Sequence, residues 1–204
     1  MKCFKVPWQE AEIEFVEKKS RFIGHIYKVQ TPEQCQEILA AVRKKYWDAT
    51  HNVYAYVLKS GAMRYSDDGE PGGTAGMPIM DTLIRSNTQD ALIVVTRYFG
   101  GILLGSGGLV RAYSRSASDA LNASGSCDMV PASMVGFTID YTRYGALEGF
   151  VRSNSVVKET EFLENVRFSC LVEKEKTDDF IKEIIERTDG RAKPVISGEE
   201  YLRK

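Results

Sequence analysis

Residues 91–122, ALIVVTRYFGGILLGSGGLVRAYSRSASDALN, decide how the first half of this chain folds. ALIVVT (91–96) is the most apolar run in the sequence and reads as a buried strand. The chain then turns on glycines and restarts as a helix over about 107–122. In that helix Leu109, Ala112, Tyr113, Ala117, Ala120 and Leu121 form an inner face, small enough for close packing. Arg111, Ser114, Arg115 and Ser118 fall on another face. Upstream, NVYAYVL (52–58) is β-branched and aromatic, apolar at nearly every position, and reads as a central strand covered on both faces. Before it, Thr31 caps a helix, Pro32 suits its first turn and Gln34 completes a capping box. Cys35, Ile38, Leu39, Val42 and Tyr46 then follow at helical spacing. EIEFVE (12–17) and RFIGHIYKV (21–29), joined by a short KKS connection, form a hairpin-like pair. Between 59 and 76 regular patterning is lost, and Pro78 then enters the first turn of a helix carrying Ile79, Met80, Leu83 and Ile84.

The composition shifts at SGSCDMVPA (124–132), which reads as a linker. Beyond it MVGFTIDY is a strand and TRYGALEGFVRS a helix, while SVVKETEFL and NVRFSCLVEK form a hairpin. TDDFIKEIIERTDG is a capped helix with Gly190 just past its end, and AKPVISGEE is a last strand. This βαββαβ order over about 70 residues matches the ferredoxin-like arrangement. The expected fold class is α+β in two domains, residues 1–130 and 134–204.

Composition excludes several classes of protein. With 204 residues, 43% hydrophobic and 27% charged, the chain is neither disordered, collagenous nor a coiled-coil rod. A net charge of −1 offers no basic excess, so any role in nucleic-acid binding must come from a local patch. The four cysteines (3, 35, 127 and 170) and two histidines (His25 and His51) lack the spacing of a zinc site. Lone scattered thiols suit a reducing cytoplasm. The first residues carry no signal-peptide core, and no apolar run nears the roughly 20 residues of a membrane helix. A cytoplasmic protein with no membrane partner is expected.

Packing explains the glycines least well. Gly69, Gly72, Gly73, Gly76, Gly100, Gly101, Gly105, Gly107 and Gly108 crowd two loops, SDDGEPGGTAGMP (66–78) and RYFGGILLGSGGLVRAY (97–113). These motifs, with KKSRF upstream, resemble the IMPACT family, and specifically its two-domain bacterial members of the YigZ/YvyE type. The likeness extends over the whole chain. It implies an N-terminal domain similar to domain 2 of ribosomal protein S5. It also implies a ferredoxin-like C-terminal domain similar to the last domain of elongation factor G. Eukaryotic relatives join a related domain to a different partner domain. They regulate translation by competing for the activator of a kinase that responds to amino-acid starvation. What the resemblance implies here is a tendency to bind the translation machinery.

Read from the residues, the second loop is an anion site. Ser106-Gly107-Gly108 opens a helix whose free N–H groups point outward, and Arg97 and Arg111 can add charge-assisted bonds. The alternative is that Gly100, Gly101 and their neighbours only permit a tight strand-to-helix turn packed under Tyr98 and Phe99. Lys18, Lys19, Arg21, Arg97, Arg111 and Arg115 can form one basic surface, with Tyr98 and Phe99 as stacking partners for RNA or a ribosomal surface. Asp67, Asp68 and Glu70 either hold a magnesium ion or supply an acid and a base, or else cap local amides and pair with arginines. LGSGG faintly resembles the phosphate loop of small-molecule kinases of the S5-like fold, but G-x-x-x-x-G-K-[ST] and the G-x-S-x-G elbow are both absent. No catalytic residue, cofactor or metal is assigned. Three readings stand: a non-enzymatic, translation-linked regulator that binds nucleic acid or the ribosome, an enzyme binding a phosphate ligand at Gly100–Gly108, and a protein–protein regulator.

Overall fold

The computed structural model describes residues 1–204 and divides them into two compact units. Phe4–Asp128 form one unit. Met129–Lys204, with Met1–Cys3, form the other.

The first unit contains β1 (Phe4–Pro7), β2 (Ala11–Glu17), β3 (Ser20–Lys28), α1 (Pro32–Lys45), β4 (His51–Val57), β5 (Met63–Ser66), α2 (Gly76–Arg85), β6 (Ala91–Tyr98) and α3 (Ser106–Ser124). Its antiparallel sheet runs β2-β3-β6-β4-β5, which puts the most apolar strand, β6, in the middle. Alternation along β6 divides the core. Leu92 and Val94 meet Leu39 and Val42 of α1, while Ala91, Ile93 and Val95 meet Ile79 and Leu83 of α2 and Tyr113 and Ala117 of α3. The capping box is present: Thr31 Oγ1 accepts from Gln34 N, and the Gln34 side chain accepts from Thr31 N. Glu17 pairs with Ser20 across the first hairpin, so Lys18 and Lys19 form a two-residue turn with φ of 45° and 64°. Positive φ at both central positions is the type I′ geometry that matches strand twist.

Two short strands escape the sequence reading. β5 falls in the stretch read as loop, because four residues, MRYS, are too few to show a period and glycine and aspartate flank them. β1 is tied at Lys5, whose N–H donates to Asn87 O and whose carbonyl accepts from Gln89 N.

The stretch read as a linker, 124–132, is instead mostly strand. β7 spans Ser126–Ile139, and the chain passes from one unit to the next within it. Pro131 disguised it, yet Cys127, Ala132 and Ser133 are buried. The second unit continues with α4 (Tyr141–Asn154), β8 (Val156–Phe162), β9 (Val166–Glu173), α5 (Thr177–Arg187) and β10 (Val195–Arg203). Its antiparallel order, β10-β7-β9-β8, is that of the ferredoxin-like fold, with Phe137, Phe168, Leu147, Val151, Phe180 and Ile184 in its core. Gly190, at φ 75°, closes α5 by donating to Ile185 O as expected. The N-terminal end differs. Thr177 does not cap it but donates its hydroxyl towards Ser133 Oγ at 3.0 Å, because the residue is buried against β7.

Candidate functional site at the glycine loops

Strand parity carries Arg97 inward. It continues the odd-numbered face of β6, so its guanidinium enters the edge of the α2/α3 core, where the side chain is 5% exposed. Nη1 donates to Glu70 Oε1 at 2.6 Å and Nη2 to Ser20 Oγ at 3.2 Å. Glu70 is 3% exposed, and its Oε1 also accepts the Tyr113 hydroxyl at 2.6 Å. Burial first, and the Glu70 carboxylate second, hold the Tyr113 phenol far above its ordinary pKa, so it stays a donor. His51 Nε2 stands 3.8 Å from the same Oε1. Its Nδ1 lies 2.8 Å from the carbonyl of Asp68, an acceptor only, so Nδ1 carries the proton in that bond.

The three carboxylates of the first loop diverge. Asp67 accepts from Gly73 N, Ala75 N and Gly76 N at 2.8–3.1 Å, capping α2 from a distance where Ala75 itself has no capping side chain. Asp68 accepts from Asn52 N at 2.7 Å and from Arg43 Nη2 at 3.2 Å. Glu70 goes to Arg97 and Tyr113. No three His, Cys, Asp or Glu side chains converge as a metal-ligand group. Within the loop Asp67 thus acts as a cap, while Asp68 and Glu70 each pair with an arginine. Asp67→Ala is expected to cost about 1–2 kcal/mol in urea denaturation, and Asp67→Asn, which keeps a carbonyl acceptor, to cost less; equal losses would contradict the capping role.

The glycines of the second loop have separate duties. A Cβ on Gly100 would stand 2.0 Å from the carbonyl oxygen of Lys19, so this residue lets the loop press against the β2–β3 turn. Gly101 and Gly105 have φ of 80° and 73°, which side-chain-bearing residues rarely adopt. Gly108 lies under Leu104, whereas Gly107 faces open space apart from Arg111 Nη1 at 3.5 Å. Leu109 N, bonding to Gly105 O at 2.9 Å, makes the first helical hydrogen bond of α3. The helix has no side-chain cap, so the amides of Ser106, Gly107 and Gly108 lack helical acceptors.

The expected basic surface is only partly assembled. Arg97 is internal. Arg21 is bound through two hydrogen bonds to Glu14 at 2.7 and 2.8 Å, and Arg115 lies 3.3 Å from Asp119 while covering the Phe15 ring. Tyr98 takes the opposite parity from Arg97, packs on the α1 side and donates to Asp48 Oδ1 at 2.8 Å. Its neighbour Phe99 is more open, with 45% of its surface exposed. Lys18, Lys19 and Arg111 are exposed and have no carboxylate partner.

Two clefts result. One, of about 220 Å³, is lined by Lys18, Arg111 and Arg115 together with Phe15 and Glu17. The other, of about 380 Å³, is lined by His51, Glu70, Arg97 and Ser106 and by apolar groups that include Phe99 and Leu103. Sequence reasoning placed Tyr113 only as packing and missed Ser20. A tyrosine on a buried helix face has to satisfy its hydroxyl, and that was the available signal.

Residues 18–121 match the family model described as the Impact N-terminal domain, and residues 137–191 match a domain of unknown function, DUF1949. The chain is 40% identical over 200 residues to IMPACT family member YvyE of Bacillus subtilis, covering 96% of this chain and 92% of that one. The chain belongs to the IMPACT family. Its two matched domains give it the two-domain architecture of the bacterial members. The IMPACT-type part reaches further: a Protein IMPACT homolog of Dictyostelium discoideum is 44% identical over 95 residues, 44% of this chain and 27% of that protein. A crystal structure described as that of a hypothetical protein superposes with a TM-score of 0.61 at 27% identity, covering 97% of this chain and 98% of that one. No helix of this IMPACT family member is long and apolar enough to cross a membrane.

Proposed function

We propose that this IMPACT family member is a non-enzymatic, translation-linked regulatory protein that binds RNA, free or on the ribosome, through its N-terminal unit. The observation that carries this reading is the cleft where the β2–β3 turn meets the first turns of α3. Lys18 and Arg111 there are exposed cations without carboxylate partners, Lys19 adjoins them, and Arg115 lines the same cleft. Phosphate oxygens suit such a group, and Phe99 adds an exposed aromatic face for a base. The link to translation rests on membership of a family whose eukaryotic members regulate it. The cations are few, so binding is expected to be weak and strongly salt-dependent.

The test is anisotropy of a labelled RNA oligonucleotide at several salt concentrations. Lys18→Asn with Lys19→Gly removes two charges while installing residues that favour the type I′ turn. Added to Arg111→Gln, this variant is expected to flatten the log–log salt dependence by about 0.7 for each single-strand phosphate that is no longer neutralised. Absence of binding by the unaltered protein at low salt overturns the proposal. So does an unchanged slope in the variant.

A further inference from the structure

We infer that the 380 Å³ cleft lined by His51 and Glu70 binds a small uncharged ligand, a hydrogen-bond donor carried on a flat apolar body. The inference does not rest on RNA binding and uses none of the cations of the Lys18 and Arg111 cleft.

The side chains of the loop and of β4 bring acceptors to this cleft. Glu70 lines it with a side chain only 3% exposed. Arg97 and Tyr113 both donate to its Oε1, whereas Oε2 receives no hydrogen bond from the protein. A largely buried oxygen without a donor costs free energy, which a donor on a ligand recovers. The second acceptor is His51. Its Nδ1–H donates to the Asp68 carbonyl, which fixes the tautomer and leaves a lone pair on Nε2. Nε2 likewise receives no hydrogen bond, and it stands 3.8 Å from Glu70 Oε1 in the lining of the same cleft. A single loop sets both groups: Asp68 orients the imidazole, and Glu70, two residues on, supplies the carboxylate.

Charge decides against an ion. Arg97, at 2.6 Å, already neutralises Glu70, so an ammonium entering the cleft gives up its hydration for little return. A carboxylate or phosphate brings oxygens against the carboxylate of Glu70 and the lone pair of Nε2. An uncharged N–H or O–H meets neither cost. The rest of the cleft describes the ligand's body. Phe99 and Leu103 are 45% and 82% exposed, and with Pro71, Leu104 and Leu109 they make an apolar lining. A cavity of roughly 150 Å³ holds one benzene ring. A cleft of 380 Å³ therefore takes a bicyclic body. Apolar burial holds such a ligand, and the few polar groups orient it.

The experiment uses the full chain, with indole as the probe and N-methylindole as the same body without its donor. Indoleacetate and tryptamine add an anion and a cation. Binding is read by titration calorimetry and by the histidine ring-nitrogen resonances. Indole is expected to bind about tenfold more tightly than N-methylindole. It should also move the pyridine-type resonance of His51 Nε2 upfield while leaving those of His25 in place. His51→Asn keeps an N–H for the Asp68 carbonyl but has no atom at Nε2. It should bring the affinity for indole several-fold closer to that for N-methylindole. Leu103→Ala, at an exposed position, should weaken both probes alike and leave the melting temperature unchanged. Equal affinity for indole and N-methylindole overturns the inference, as does a His51 Nε2 resonance that indole leaves unmoved, or no binding by either probe. Tighter binding of tryptamine or indoleacetate than of indole also overturns it, because the ligand would then be an ion.

Discussion

Arg97→Ala is expected to lower stability by about 3–5 kcal/mol, the range for breaking a buried ion pair by removing one partner. The substitution leaves Glu70 buried with only the Tyr113 hydroxyl on Oε1 and His51 at 3.8 Å. It also takes the guanidinium from between the rings of Phe22 and Phe99, which lie 5.4 and 5.5 Å from its Cζ. Guanidinium chloride denaturation reads the loss as a lower midpoint at unchanged slope. A variant that removes the whole polar cluster, Arg97→Met with Glu70→Leu and Tyr113→Phe, should recover much of that loss, because no charge is then stranded. A loss below about 1 kcal/mol in Arg97→Ala would mean that the pair is not buried as described. Weaker RNA binding by Arg97→Ala would accordingly report unfolding, not the removal of a phosphate-binding group.

Gly100→Ala is the second large effect. A methyl group there would lie 2.0 Å from Lys19 O and 2.1 Å from Lys19 C, both backbone atoms of a tight turn. Neither can rotate away, so the β2–β3 turn or the end of β6 must move. The expected cost is about 3 kcal/mol, the upper end of ordinary overpacking. The turn also presents Lys18 and Lys19, so RNA binding should weaken along with stability. Gly107→Ala is the contrast. Its Cβ meets nothing nearer than Arg111 Nη1 at 3.5 Å, its φ is not positive, and it stands in the first turn of α3. There alanine is expected to be neutral or to stabilise by up to about 0.5–1 kcal/mol. Thermal melts of the two variants distinguish a loop in which glycine serves close approach from one in which glycine is merely small. Similar melting temperatures would contradict the packing at Gly100.

Local physics made most elements legible. Alternation and apolar runs located β2, β3, β4 and β6, and the helical stripes located α1, α2 and α3. The ferredoxin-like half could be read from the order of its strands and helices and from punctuation between them, such as Gly190 just past the end of α5. β5 was hidden by its length of four residues, and the start of β7 by Pro131 and Gly125. In the candidate site, the glycine loop and the helix start at Ser106 were visible as motifs. The fate of the charges was not. Arg21 and Glu14 meet across a hairpin, a pairing that register alone permits. Arg97 and Glu70 are 27 residues apart and meet only because α2, α3 and β6 close around them.

The sequence by itself determined the strand and helix periods, the capping box at Thr31, the glycine-rich turn before α3 and family membership. The first three are encoded within a few residues, by backbone preference or side-chain spacing, whereas membership of the family rests on likeness over most of the chain. Only the tertiary structure decided which cations remain free. Parity along β6 sent Arg97 inward and Tyr98 to the other face, and burial of Arg97 then required a carboxylate, which Glu70 supplies from a distant loop. Charge compensation in a low-dielectric interior is satisfied by whatever group the fold brings near, and no local pattern records that choice.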